Sequence, residues 1–195
     1  MKKISATIIT FNEEKNIARC LESLQGIADE IIVVDSLSTD KTKEIVRIYT
    51  DKIYEHKFLG HVEQKNLAVE KANNDWILSL DCDERLTKEL KESILKIKDN
   101  IETADAYRMA RKTFYVYRWL NHCWYPDFKV RLFNRKSAKW GGTNPHDRVE
   151  VIGDNIVTLN GDMQHFSFNS ISEHLKTIDS FTEIGAQEII KKGNI

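Results

Sequence analysis

The first half of the chain repeats one pattern: an apolar, β-branched run, a cluster of turn residues, then apolar positions three and four apart. "ISATIIT" (4–10) reads as a strand buried on both faces. Asn12 is placed to cap the helix that follows. Glu13 and Glu14 suit its positive end, and Ile17, Cys20, Leu21 and Leu24 fall on one stripe. "EIIVVDS" (30–36) and "STDKTKEIVRIY" (38–49) repeat the strand and helix, the latter with Ile45, Val46 and Tyr49 inward. "DKIYEH" (51–56) is a short third strand, "HVEQKNLAVEKA" (61–72) a third helix and "DWILSLD" (75–81) a fourth strand. Parallel crossovers are most easily made by helices, so the alternation predicts an α/β fold with a central, mostly parallel sheet flanked by helices.

Beyond "TKELKESILKIK" (87–98), a helix capped by Thr87, the pattern changes. "DAYRMARKTFYVY" (105–117), "FKVRLFNR" (128–135), "DRVEVIG" (147–153) and "IVTLNGDMQHFSF" (156–168) read as strands or hairpins between Gly, Asn and Pro signals. The last segment, from Ser170, is a helix with a Ser170/Glu173 capping box and an apolar stripe of Ile171, Leu175, Ile178 and Ile189. No repeat, low-complexity stretch or linker divides the chain. A single domain over 1–195 is therefore expected, with parts 1–100, 101–169 and a C-terminal helix 170–195.

Length and composition fit that reading: 195 residues, 41% hydrophobic and 30% charged, suffice for one substantial core. A formal net charge of −1 argues against a general nucleic-acid binder. No apolar run approaches the roughly 18 residues of a membrane span. The apolar stretch 4–11 ends at once in Asn12-Glu13-Glu14, unlike a secretory signal, so a cytoplasmic protein is expected. Cys20, Cys82 and Cys123 have neither the count of a disulfide framework nor the spacing of a zinc knuckle. Charge is unevenly spread: residues 107–140 hold nine Lys/Arg against one acid, Asp127, and ten of the eighteen aromatics. This is either a solvated basic face over core aromatics or a surface for an anionic or sugar-like ligand.

Candidate chemistry centres on "ILSLDCDERL" (77–86). Strand alternation would place Asp81 and Asp83 on one side with Ile77 and Ser79, and two like charges in one space call for a cation or a shared proton. Ligands of such sheets bind beyond the carboxyl ends of the strands, where Thr10, Asn12, Asp35, Asp81 and Asp83 converge. A D-x-D there suits Mg²⁺ or Mn²⁺ beside a diphosphate; paired surface acids are the bland alternative. On the residues alone, Asp35 equally fits a turn cap, His165 a hydrogen-bonded core histidine and Asp147 an ion pair with Arg148. His56, His61, His122 and His174 lack metal-like spacing and read as surface or packing residues.

"IITFNEEKNI", "EIIVVDSLSTDKT", "GHVEQKNLAVEKANNDWILSLDCDE" and "WGGTNPHDRVEV" occur in the order expected of GT-A fold nucleotide-sugar glycosyltransferases. The chain resembles their inverting family 2 type and, within it, the bacterial lipopolysaccharide-core glucosyltransferase-like branch. The resemblance implies a GT-A fold, with 1–100 as the nucleotide-sugar-binding half and 101–169 as the acceptor and catalytic half. It implies Thr10, Asn12 and Glu13 at the nucleotide, Asp35 at the base and Lys65 near the nucleotide. Asp81 would face the ribose, and Trp140, Gly141 and Gly142 would line a loop near the donor sugar. Asp83 and His165 would bind a divalent metal, and Asp147 would be the catalytic base.

The implied reaction moves a hexosyl group, with inversion, from a nucleotide diphosphate sugar such as UDP-glucose to a saccharide, in lipopolysaccharide, capsule or cell-surface glycan synthesis. The implied partners are that donor and a saccharide acceptor, with a lipid-linked acceptor and peripheral attachment at the inner face of the cytoplasmic membrane as options. Arg111, Arg118 and Arg131 are the cations expected to meet acceptor phosphates. Departures from the family pattern are I-T-F-N for P-x-Y-N, Asp35-Ser36-Leu37-Ser38 for D-D-G-S, and Lys65 where Arg is commoner, a point charge in place of a fork. Two other classes stand beside this reading: an aspartyl-phosphate-type phosphatase using Asp81 as nucleophile, and a non-catalytic nucleotide-sugar-binding module.

Overall fold

The apolar runs of the first half become β1 (Ile4–Thr10), β2 (Glu30–Asp35), β3 (Ile53–Glu55) and β4 (Trp76–Asp81). Helices α1 (Ile17–Leu24), α2 (Thr42–Val46) and α3 (His61–Glu70) join them in the computed structural model, which describes residues 1–143 and 146–191. The four strands are parallel in the order β3-β2-β1-β4, because every crossover is helical. Their register pairs Thr10 with Asp35 and Ile9 with Asp81, which sets the polar carboxyl ends side by side on one rim.

The chain continues through β5 (Glu84–Leu86), α4 (Lys88–Ile97), β6 (Ala106–Tyr115), β7 (Arg118–Trp119), β8 (Asp127–Asn134), β9 (Ala138–Thr143), β10 (His146–Val151), β11 (Ile156–Phe168) and α5 (Ile171–Lys191). Beside β4 the same sheet runs on as β8-β6-β11-β5, with β7 on β6. Five of its other described strands run with β1, and β5, β7 and β8 run against it. This is the mixed α/β, mostly parallel architecture expected from the GT-A resemblance. β9 and β10 form a separate two-stranded antiparallel sheet.

Two apolar layers hold the sheet. One buries Ile17, Leu21 and Leu24 of α1 and Leu90 and Ile94 of α4 against Ile8, Leu78 and Met109. The other joins Ile32, Ile77 and Phe133 to Val69 of α3 and Trp140 of the β9–β10 hairpin. Each fully buried Leu or Ile contributes about 1.5–3 kcal/mol, so α1 and α4 are fixed by their stripes.

Several expectations are corrected. Asn12 does not cap α1, which begins five residues later without a side-chain cap. It adopts φ 54°, a left-handed conformation that Asn tolerates; its N–H donates to Ser38 Oγ (2.8 Å), and its Oδ1 accepts the Thr39 N–H (2.9 Å). The first loop is thereby tied to the second. The α5 cap is reciprocal but displaced: the Glu173 N–H donates to Ser170 Oγ (3.1 Å), while the Glu173 carboxylate accepts from the Asn169 N–H (2.8 Å). The α5 stripe is exposed at Ile171, Leu175, Ile178 and Ile189, because the helix rests on β11 through His174, stacked 4.3 Å from Phe168. Among the described residues no helix is long and apolar enough to cross a membrane. Asn144 and Pro145 of the "WGGTNPHDRVEV" segment, and the last four residues of the expected 170–195 helix, lie outside the described residues.

Candidate active site

The D-x-D carboxylates do not share one extended face. β4 ends at Asp81, the chain turns through Cys82 and Asp83, and β5 starts at Glu84. Each carboxylate therefore meets its own cation. Lys65 Nζ lies 2.8 Å from Asp81 Oδ1, and Arg131 Nη2 lies 2.8 Å from Asp81 Oδ2. Burial alone would raise the Asp81 pKa; the Lys65 and Arg131 charges overcome it and hold the carboxyl well below the usual range. Asp83 Oδ2 sits 3.1 Å from His165 Nε2. Burial pulls the His165 pKa down, but the charge and hydrogen bond of Asp83 prevail, and it is raised overall.

Glu84, fully buried on β5, completes the inner layer. It accepts from Arg131 Nη2 (2.9 Å) and Nε (3.2 Å) and from the Asp81 backbone N–H (3.0 Å). Such forked contacts are the strong form of an Arg–carboxylate pair. Arg111 extends the network, with two hydrogen bonds to Asp127 Oδ2 (2.7 and 3.0 Å) and a longer approach to Glu84 (3.7 Å). Buried charges are tolerated only when paired, and the interleaved signs meet that requirement.

Lys65 is the junction. Its ammonium is 2.7 Å from Asp147 Oδ2 as well as 2.8 Å from Asp81, and it lies 4.2 Å from the centre of the Trp140 ring. Arg131 approaches the same ring at 5.2 Å. A desolvated cation over an indole gains about 2 kcal/mol. α3 thus joins the end of β4 to the hairpin strand β10.

These groups open onto a cleft of about 1230 Å³. Thr10, Glu13, Lys65, Asp81, Asp83 and Asp147 line one wall; Trp124, Tyr125, Lys129, Phe168 and Phe181 line another. Burial pushes the Glu13 pKa up, and Asp83 adds to the shift against a hydrogen bond from Asn16. Thr10 Oγ1 is buried and has no hydrogen-bond partner among the described residues.

The geometry of Asp83 and His165 suits a shared cation. Adjacent ligands of an octahedral ion with bonds of about 2.1 Å are about 3.0 Å apart, close to the 3.1 Å between these two atoms. Among the described residues no group of three or more His, Cys, Asp or Glu is arranged around one point. A two-donor site leaves positions for phosphate oxygens and water, as Mg²⁺ and Mn²⁺ prefer.

Of the residues singled out in the sequence, Thr10, Glu13, Lys65, Asp81, Asp83, Asp147 and His165 come together at the cleft. Asn12 lies outside its lining and bridges two loops. Asp35 is fully buried and engaged in its own turn, accepting the Ser38 N–H (2.8 Å) and Oγ–H (2.5 Å), while Ser36 reaches the cleft instead. Trp140, Gly141 and Gly142 form β9, not a loop. Trp140 is core, a Cβ on Gly141 would meet the Glu150 carboxylate at 2.4 Å, and Gly142 has φ +92°. Arg131 is a buried partner of Asp81 and Glu84, so it is not a surface cation for an acceptor; Arg118 is exposed over Tyr117. His61 lines the cleft, and burial followed by Lys65 lowers its pKa.

The structural roles of Arg131 and Glu84 were missed in the sequence. The available signal was a charge inside the apolar run of β8, which must find a buried partner. Cys20, Cys82 and Cys123 are free thiols. Burial, then nearby acids, pushes Cys20 and Cys82 well up in pKa, while Cys123 is exposed beside Trp124.

Residues 5–152 match the family description "Glycosyl transferase family 2". A glycosyltransferase of Rickettsia typhi is 36% identical over 211 residues, covering 99% of this chain and 70% of that protein. The lipopolysaccharide core biosynthesis glycosyltransferase LpsC of Rhizobium meliloti is 27% identical over 197 residues, covering 97% and 73%. Among solved structures, S. aureus TarS 1-349 in complex with UDP-GlcNAc is 29% identical, with a TM-score of 0.46. That alignment covers 62% of this chain and 36% of the TarS chain.

Proposed function

Because the chain belongs to glycosyl transferase family 2, we propose that it moves a hexosyl group from a nucleotide diphosphate sugar, UDP-glucose or a relative, to a saccharide hydroxyl with inversion. One observation carries the reading: Asp81, Asp83 and Asp147 reach a single cleft, Asp81 and Asp147 bridged by Lys65 and Asp83 beside His165. Asp81, held ionised by Lys65 and Arg131, is an acceptor for ribose hydroxyls. Two engaged oxygens make it a poor nucleophile, so the phosphatase reading loses its key residue.

Asp147 is the base. Its Oδ2 is engaged by Lys65, so proton acceptance from the attacking hydroxyl falls to Oδ1 as the bond to the anomeric carbon forms opposite the leaving group. Asp83 and His165 would hold Mg²⁺ or Mn²⁺, which supplies Lewis-acid stabilisation of the departing diphosphate. Thr10 and Glu13 border the donor end, and residues 1–100 form the donor half. Residues 101–169 supply the base and the aromatic wall of Trp124, Tyr125 and Phe168, on which acceptor sugar rings stack; residues 170–195 form the C-terminal helix. Similarity to LpsC, a lipopolysaccharide core biosynthesis glycosyltransferase, supports a saccharide acceptor of the lipopolysaccharide class.

A thermal-shift screen of nucleotide sugars with and without Mn²⁺, on the native chain and Asp83→Ala, tests donor and metal together. Metal-dependent stabilisation by a UDP-sugar, lost in the variant, is expected. Indifference to every nucleotide sinks the reading. With the selected donor, Asp147→Asn should lower kcat by about 10²–10⁴-fold while nucleotide affinity persists.

A further inference from the structure

Three consecutive residues of α3 send their side chains to three different parts of the protein. Gln64 Nε2 donates to Ser36 Oγ (3.0 Å) and the His56 carbonyl (3.0 Å) at the β2 and β3 ends. Lys65 bridges Asp81 and Asp147. Asn66 turns to β9, where its Nδ2 donates to the Trp140 carbonyl (2.9 Å) and its Oδ1 accepts the Trp140 N–H (3.1 Å). Successive helix positions differ by about 100°, so three neighbours can address three directions.

The Asn66 contact has the form of a strand pairing. Among the described residues β9 pairs with one strand, β10, and the Trp140 N–H and C=O that meet Asn66 lie on its other edge. A primary amide carries one carbonyl and an N–H at peptide-like spacing and can substitute for a neighbouring strand at one residue. The rest of the hairpin interface is mainly apolar, with Ala138, Trp140, Val149 and Val151 against Val69 and Ala72. Apolar packing is non-directional and tolerates sliding. A slide of two residues along β9 would carry Asp147 roughly 6.8 Å.

We infer that Asn66 is a positioning residue: its amide fixes the register of the β9–β10 hairpin on α3 and so places the Asp147 carboxylate in the cleft. The inference rests on the reading of Asp147 as the base, because only then does the hairpin's register set the rate. Asn66 is not itself in the cleft lining; it acts through Trp140, which pairs with Val149 two residues from Asp147.

The test compares the native chain with Asn66→Ala and with Asn66→Asp, a near-isosteric change that retains the acceptor and removes the donor. Hydrogen exchange of segment 138–151 should quicken at least tenfold in both, with β1, β2 and β4 unchanged. With the donor selected by the thermal-shift screen, kcat should fall at least tenfold and donor KM should stay within twofold, since a displacement of about 1 Å can cost 10²-fold in rate. In an Asp147→Asn background, Asn66→Ala should cost nothing further. Unchanged exchange in 138–151, or a parallel change in kcat and KM, overturns the inference. Full transfer by Asp147→Asn, or no turnover of any donor by the native chain, instead overturns the reading of the base.

Discussion

The end of β2 and the end of β4 treat charge differently. At the β2 end the acids find partners a few residues away: Asp35 with Ser38, Asp40 with Thr42. Around the end of β4, where β8, β10 and β11 approach, the partners are far off in sequence: Arg131 with Asp81 and Glu84, Lys65 on α3 with Asp147, His165 with Asp83. A local pair closes when its turn forms. A distant pair closes only when both of its segments are assembled, so it couples them and concentrates the consequences of losing one partner.

The sharpest way to break this contrast is Arg131→Met, which leaves Glu84 and one oxygen of Asp81 buried without their guanidinium. Removing one partner of a buried pair costs about 3–5 kcal/mol, and a urea titration should read a loss in that range. Asp35→Ala, which strands the buried Ser38 N–H and frees its hydroxyl to turn to another partner, should cost about 1–3 kcal/mol in the same titration. Equal costs would mean that the local and distant pairs do not differ.

The urea midpoint as a function of pH sharpens the contrast within D-x-D itself. The folded Asp81 pKa lies below the unfolded value of about 3.9, so its contribution is complete above that pH and fades as pH falls towards the folded value. Arg131→Met should move this acid loss to higher pH. His165 is raised above about 6.5, so its contribution is complete below that pH and fades as pH rises through the folded value. His165→Gln should flatten that alkaline-side decline and leave the acid limb intact.

The smallest effect belongs to α5. Leu175→Ser and Ile178→Ser, on its exposed face, should change stability by no more than about 0.5 kcal/mol. Leu21→Ala, on the equally periodic but buried stripe of α1, should cost about 2–5 kcal/mol.

The same contrast explains what could be read from the sequence. β1, β2 and β4 are apolar runs bounded by turn residues, and each lies where its run predicts. Thr87 caps α4 through the Leu90 N–H (3.3 Å) as expected. Asn12 escaped because capping and the left-handed conformation use the same residue type, and only the neighbouring loop decides between them. Arg131 escaped because nothing near it in sequence names its partners. Periodicity also could not tell the buried stripe of α1 from the exposed stripe of α5, since a stripe records a preference for burial and says nothing of what lies opposite.

The unequal burial of the three thiols makes the chain a ready-made spectroscopic object. Cys20 is buried and Cys82 half-buried at the cleft, both hard to ionise, whereas Cys123 is exposed next to Trp124 at the cleft wall. A maleimide dye added to the native chain at neutral pH will therefore attach first at Cys123, beside a natural quencher that borders the cleft. Donor and acceptor occupancy can then be followed by fluorescence in real time, without removing or introducing a single residue.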